Sequence, residues 1–232
     1  MYWIYEMPWY RNQQGVLGHV LGGWQLNGTW RFQSGQPFNP IQFNASLVCD
    51  PFFQAAFNSS VAECRPFLSN ANAALDTVGT FCNGATFAAG GNCFDAGGNP
   101  LALGTFVDLY DPCLFDNTCA VSRFLGQDDV HWIYNDTTAA TILGSPYGDG
   151  RNTLRGPTVN NIDFGIFKNT KVNERITVQF QANIFNLFNR QFRSVADPLV
   201  EDFPLSEGGS FMNEQFNTSN NRNMWFGLKI IF

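Results

Sequence analysis

The sequence predicts an all-β fold: antiparallel strands forming the last part of a transmembrane β-barrel, about five strands in all, interrupted by a long cysteine-containing loop. Three observations carry that reading. Several segments alternate apolar and polar residues with a period of two. The apolar phase is heavily aromatic, in a chain with 16% aromatic and only 14% charged residues and 24 phenylalanines. The connections are short at one end of the strands and long at the other, an asymmetry typical of outer-membrane barrels.

The strands can be taken in order. From Trp24 to Ser34, Trp24, Leu26, Trp30 and Phe32 share one phase, and Gln25, Asn27, Thr29, Arg31 and Gln33 the other; only a strand separates them this way. From Arg175 to Ile184 the split is cleaner, with Ile176, Val178, Phe180, Ala182 and Ile184 against Arg175, Thr177, Gln179, Gln181 and Asn183. Asn161 to Lys168 sets Ile162, Phe164 and Ile166 against Asn161, Asp163 and Gly165. The terminus runs Met224, Phe226, Leu228, Ile230 and Phe232, with Gly227 and Lys229 between. Tyr2 to Met7 is a fifth, weaker candidate closed by Pro8, which cannot donate to a ladder.

The polar stretch Asn169 to Glu174 joins two of these strands as a hairpin. The chain between the Trp24 and Asn161 strands, and that between Phe188 and Met224, are both far longer than ordinary loops. If the terminus lies on the periplasmic side, strand parity puts both long connections outside the cell and the hairpin turn inside. The chain then divides into residues 1–40, two strands with a short periplasmic connection; 41–157, a Cys-rich extracellular insertion; and 158–232, three strands with one extracellular loop at 189–221.

Gln, Asn, Thr and Arg cannot be left unpaired in hydrocarbon without a cost of several kcal/mol. The polar phase (Gln25, Asn27, Thr29, Arg31, Arg175, Thr177, Gln179, Gln181 and Asn183) is therefore expected to face a lumen, and the apolar phase outer-membrane lipid. Trp30, Phe32, Phe188 and Trp225, near the outer strand ends, suit an interfacial aromatic girdle. A soluble β-sandwich is the competing fold, but it explains neither the aromatic sheet face nor the one-sided loops.

Composition excludes some functions. The net charge of -6, with 13 scattered Lys and Arg residues, argues against nucleic acid, which needs a basic face. No run of about 18 apolar residues exists to span a membrane as a helix, which says nothing against barrel strands. Met1 to Glu6 lacks the basic region and apolar core of a secretory signal, so either the segment is a fragment or export is encoded upstream.

All six cysteines, Cys49, Cys64, Cys82, Cys93, Cys113 and Cys119, fall in the long insertion and none in a strand. An even count in a polar, Gly- and Asn-rich segment reads as disulfides formed in an oxidising compartment. The spacing leaves the connectivity open, and neighbour pairing (Cys49 with Cys64, Cys82 with Cys93, Cys113 with Cys119) is preferred. A zinc site is disfavoured by the wide spacings and the separation of His19 from His131. Between Cys49 and Gly150, eleven Asp and Glu residues stand against Arg65 and Arg123. This acidity either keeps an exposed loop soluble or attracts cationic or metal-bound ligands. Asp128 and Asp129 with His131, and Asp149 between Gly148 and Gly150, are candidates for a calcium site, for which the carboxylates supply the oxygen ligands, yet they match no complete loop pattern. No nucleophile elbow, zincin motif or phosphate loop is present, so neither an enzyme nor a bound cofactor is expected.

Leu21-Gly22-Gly23-Trp24-Gln25-Leu26-Asn27-Gly28 and Gln33-Ser34-Gly35-Gln36-Pro37-Phe38 resemble the late-barrel segment of TonB-dependent receptors of the Oar-like, carboxypeptidase-regulatory-domain type. So do Gly150 to Pro157, Asn161-Ile162-Asp163-Phe164 and Ala182-Asn183-Ile184-Phe185-Asn186-Leu187-Phe188-Asn189, in the family's order. The resemblance implies a barrel of about 22 strands around a plug domain, taking up a bulky nutrient with energy from the TonB complex. Plug and TonB contact would belong to an N-terminal part missing here, making this chain a fragment that is not transport-competent alone. The resemblance also implies that Phe226, Leu228, Ile230 and Phe232 form the signal read by the barrel-assembly machinery. An unknown extracellular ligand is expected at the cysteine loop. The alternative is an outer-membrane-anchored adhesive or ligand-binding surface protein acting through that loop; a secreted soluble enzyme ranks third.

Overall fold

The computed structural model describes residues 1–43, 63–84, 92–116, 118–145, 147–214, 216–217 and 221–232. They form two compact units, one of residues 1–36, 157–194 and 215–232, the other of residues 37–156 and 195–214.

The first unit is a five-stranded antiparallel meander: β1 (Tyr2–Glu6), β2 (Trp24–Gln33), β3 (Val159–Lys171), β4 (Thr177–Phe185) and β5 (Asn223–Ile231), each hydrogen-bonded to its neighbour in that order. All five segments expected from alternation are strands. Their β-branched and aromatic residues suit a pleated surface, and the long β2 and β3 pair from Trp24↔Lys168 to Gln33↔Val159. The sheet is not closed: β1 and β5 are its edges among the described residues. Gln33, Val159, Phe185 and Asn223 mark one end of the sheet, where both long connections begin and finish.

At the other end, β3 turns into β4 through Val172–Ile176. Asn173 Oδ1 accepts the N–H groups of Arg175 (2.9 Å) and Ile176 (2.7 Å), a side-chain turn of the type Asn favours. Arg175 therefore sits in the turn rather than on the strand, which starts at Thr177. The β1–β2 connection is not the short link expected: it contains the helix α1 (Gly15–Leu21). Gly22 and Gly23 end α1 in a close approach. Gly23 has φ +75°, and a Cβ there would lie 2.1 Å from the Asn169 carbonyl oxygen, so only glycine fits.

The second unit has its own core. A four-stranded sheet runs in the order Phe67–Leu68, Trp132–Ile133, Val78–Phe81 and Phe106–Asp108, with the middle pair parallel. Val78, Val107, Leu114 and Trp132 are buried on it together with Val200 and Phe211 from the other segment of the unit. A second helix, α2 (Thr137–Leu143), is N-capped by Asp136, whose Oδ1 accepts the Ala139 N–H at 2.7 Å, and ends at Gly144 in the left-handed conformation. The two long connections thus fold as one body, joined by Ile41 N–H to Pro198 (2.8 Å), Val200 N–H to Ile41 (2.9 Å) and Tyr110 Oη to Val200 (3.0 Å).

Disulfides Cys82–Cys93 and Cys113–Cys119 form as neighbour pairs. Cys64 is also disulfide-bonded, while Cys49, its expected partner, lies outside the described residues. Cys64 ends the short strand Glu63–Cys64, so one cysteine does lie in a strand.

Three buried side-chain amides stand in for strand neighbours in irregular chain. Gln13, with φ +49°, donates to the Asn169 carbonyl (2.8 Å) and accepts the Lys171 N–H (2.9 Å). Gln42 does the same for Asn135 and Asn186 for Arg190. Each satisfies a backbone donor and acceptor that burial would otherwise leave costly.

Candidate functional site

Cross-strand register sorts the sheet residues onto two faces. Leu26 opposes Ile166, which opposes Ala182, which opposes Phe226. This face also holds Trp30, Phe32, Ile162, Phe164, Phe180, Ile184, Met224, Leu228 and Ile230. Phe226, Leu228 and Ile230 are 63%, 71% and 58% exposed. Its rings touch: Trp3 and Phe164 lie 6.0 Å apart, and Phe180 stacks on Phe226 at 6.5 Å. Gly28 leaves room for the Trp3 ring, which a Cβ would strike at 2.7 Å. Two polar groups of this face are engaged: Trp30 Nε1 donates to Asn160 Oδ1 at 2.9 Å, and Lys168 Nζ lies 5.6 Å from the centre of the Trp24 ring.

The opposite face carries hydrogen-bonded amides. Gln25, Asn27, Thr29 and Arg31 on β2 align with Phe167, Gly165, Asp163 and Asn161 on β3. Thr177, Gln179, Gln181 and Asn183 of β4 continue the rows. Thr29 Oγ1 donates to Asp163 Oδ2 (3.1 Å), Asn161 Nδ2 to Asp163 Oδ1 (3.0 Å) and Gln179 Nε2 to Asn169 Oδ1 (2.7 Å). Gln181 donates to Gln179, and Arg31 to Gln33 at 2.8 Å. The side chains of Asn27 and Asn183 converge over Gly165, where an added Cβ would lie 2.0 and 2.8 Å from their oxygens. Trp225 shares this face, opposite Asn183, with its ring folded over Gly227. It therefore stands apart from the aromatic face where Trp30 and Phe32 lie.

Asp163 and Asn186, to which the sequence alone assigns no site role, organise the end of this face. Asp163 Oδ1 also accepts the Asn186 N–H at 2.8 Å. Asn186, at φ +54°, ends β4; its side chain donates to the Arg190 carbonyl (2.8 Å) and accepts the Arg190 N–H (2.9 Å). Asn189 Oδ1 accepts the Arg222 N–H at 2.8 Å, tying the turn to the residue before β5. The Phe185-Asn186-Leu187-Phe188-Asn189 block, visible in sequence as a motif, is thus a strand terminator. Asn tolerates its left-handed backbone and supplies its local hydrogen bonds.

In the second unit, a cleft of about 280 Å³ is lined by Asp76, Asp108, Asp129 and Glu207 beside Tyr110, Leu125 and Val130. Two of these acids pair with Arg123, which lies 3.3 Å from Asp108 and 2.7 Å from Glu207. Three of the candidate calcium residues make local hydrogen bonds. Asp129 Oδ2 accepts the Gly126 N–H at 2.7 Å, Asp128 contributes its carbonyl to Asn70 at 2.7 Å, and His131 Nδ1 meets the Ala73 carbonyl at 2.9 Å. Among the described residues no group of three or more His, Cys, Asp or Glu side chains is placed to hold a metal.

Asp111 is fully buried. It accepts N–H groups from Cys113 (2.9 Å), Ser122 (2.8 Å) and Arg123 (2.7 Å). Burial pushes its carboxyl up, but the hydrogen bonds from Ser122, Arg123 and Cys113 outweigh it and hold the group below the usual carboxylate range. Burial, aided by the nearby acids Asp108 and Glu201, raises the Tyr110 phenol.

The family model described as outer membrane beta barrel domain matches residues 1–224. No curated protein and no solved structure matches the chain.

Proposed function

Because the chain belongs to the outer membrane beta barrel domain family, we propose that it is the C-terminal barrel portion of a TonB-dependent receptor that takes up a bulky nutrient across the bacterial outer membrane. The observation that carries this reading is the two-faced sheet: an exposed aromatic and aliphatic face suited to lipid, backed by a hydrogen-bonded amide face suited to a wet lumen. Its edges, β1 and β5, require further strands, because unpaired backbone groups are untenable in lipid. On this reading those strands, the plug domain and the TonB-contacting segment belong to a longer polypeptide, and the fragment alone does not transport. With Phe232 on the periplasmic side, the second unit is extracellular and its acidic cleft contributes to ligand capture. No catalytic role is assigned.

Phe226, Leu228, Ile230 and Phe232 serve as the signal for the barrel-assembly machinery. Phe232 is 97% exposed and lies beyond the last paired residue, Ile231, so its identity is free of a folding role in this sheet. Reading the coding sequence upstream of Met1 tests the receptor assignment. An in-frame plug and export signal are expected, and an unrelated protein there overturns it. An epitope inserted at the exposed turn Gly97–Gly98 of the full-length product tests orientation. Labelling of intact cells supports an extracellular second unit, whereas labelling only after permeabilisation reverses it.

One observation favours a second reading, an anchored adhesive or ligand-binding surface protein. The second unit has its own hydrophobic core and is braced by disulfides, Cys82–Cys93 and Cys113–Cys119 among them, as a binding module would. Upstream sequence without a plug, combined with surface exposure of the unit, would select it.

A further inference from the structure

The connection between β1 and β2 exposes apolar surface that the strand alternation does not explain. In α1, Val16, Leu17, Val20 and Leu21 are 82%, 66%, 58% and 45% exposed. Their spacing places them on one stripe of the helix, while Gly18, on the other side, is buried against the backbone of Gln13. The helix carries no charged residue other than His19, if protonated. Trp9 and Tyr10, in the same connection, are also exposed.

This stripe is held in continuity with the apolar sheet face. Trp24, the first residue of β2 on that face, donates from Nε1 to the Val20 carbonyl at 2.9 Å. Lys168 sits against the Trp24 ring and donates to the Gly22 carbonyl. Gln13 fastens the preceding chain to Asn169 and Lys171 of β3. The helix is thus anchored to the sheet rather than dangling, with its aliphatic residues outward.

We propose that α1 is an interfacial anchor: it lies in the headgroup and acyl boundary of the leaflet at the turn end of the sheet, with Val16, Leu17, Val20 and Leu21 entering the hydrocarbon. The occupant of the stripe is lipid, argued from its continuity through Trp24 with the face read as lipid-facing; the inference rests on that reading. An outward aliphatic stripe beside exposed Trp9 and Tyr10 suits the membrane interface, where such aromatic residues concentrate. It sets the depth of the strand ends that the β3–β4 turn leaves in water.

The test places an environment-sensitive fluorophore on single introduced cysteines in the full-length product, inserted into phosphatidylethanolamine and phosphatidylglycerol vesicles with and without acyl-brominated lipid. Leu17→Cys and Val20→Cys report on α1, Leu228→Cys on the sheet face and Glu174→Cys on the turn. The proposal expects α1 labels to lose roughly half their emission to bromines placed shallow in the acyl chain, and less to deep ones. Leu228→Cys, level with Trp24 in the register, is quenched at least by the shallow bromines, and Glu174→Cys by neither set. Quenching at Leu228→Cys with α1 labels behaving like Glu174→Cys overturns the inference and leaves the membrane reading intact. A blue-shifted but unquenched α1 label means protein covers the stripe, and also overturns it. Absence of quenching at Leu228→Cys removes the membrane reading and the inference together.

Discussion

Gln42 and Asn135 close a ring of two hydrogen bonds. Gln42 Nε2 donates to the Asn135 carbonyl at 2.6 Å, and the Asn135 N–H donates to Gln42 Oε1 at 2.8 Å. Both residues are fully buried, so Gln42 does for Asn135 what a neighbouring strand would do.

Replacing Gln42 with Leu keeps the volume but strips partners from a buried N–H and a buried carbonyl. Gln42→Leu is expected to destabilise the second unit by about 2–5 kcal/mol, measured by denaturant unfolding. Gln42→Glu keeps the acceptor and should fall between Leu and wild type at a pH where it remains protonated. Equal stability of Gln42→Leu and wild type would show that the ring contributes nothing.

Gly23 and Gly15 both have positive φ, but only Gly23 is crowded, with Asn169 O in the place of its Cβ. Gly15→Ala should cost about 1 kcal/mol for its backbone conformation alone. Gly23→Ala adds a backbone collision and should sharply reduce the protease-resistant folded species recovered from membranes. Comparable recovery of the two variants would contradict the close approach at the β2 entry.

Asp111 gives the second unit an acid-sensitive component. Its folded pKa is lowered, so its contribution is fully present above the unfolded carboxylate pKa of about 3.9 and is lost as pH falls through the folded value. Stability from this group should be flat from neutral pH to about 4 and decline below. Asp111→Asn should lower stability at neutral pH by roughly 2–4 kcal/mol and flatten the acid limb, as read from unfolding midpoints at several pH values.

The two described disulfides close loops of different length, with sequence separations of 11 for Cys82–Cys93 and 6 for Cys113–Cys119. Loop-closure entropy predicts about 3 and 2 kcal/mol respectively. Cys82 and Cys93 are in addition fully buried in the core, whereas Cys119 is exposed. The C82A/C93A pair should therefore cost clearly more than C113A/C119A in reversible unfolding; the reverse order would mean that the core bridge stores no stability.

Sequence alone determined the five strands and, Trp225 apart, the faces of their residues, because a period of two is a local property: each residue's face follows from its neighbours' chemistry. Gln179 and Phe226 could be assigned to opposite faces without knowing what pairs with them. It also marked Asn186 and Gly23 as special residues, through motifs, without showing what they do. Tertiary structure decided the rest. Arg175 moved off its strand because the Asn173 side chain closes the turn first. The α1 stripe was hidden in a short segment whose apolar spacing competes with nearby strand signals, and Gly18 and Trp24 fix it in place. The union of residues 37–156 and 195–214 into one body depends on Val200, Phe211 and Glu207 meeting partners far away in the chain. No local period encodes such contacts, since their energy exists only once distant segments exclude water together.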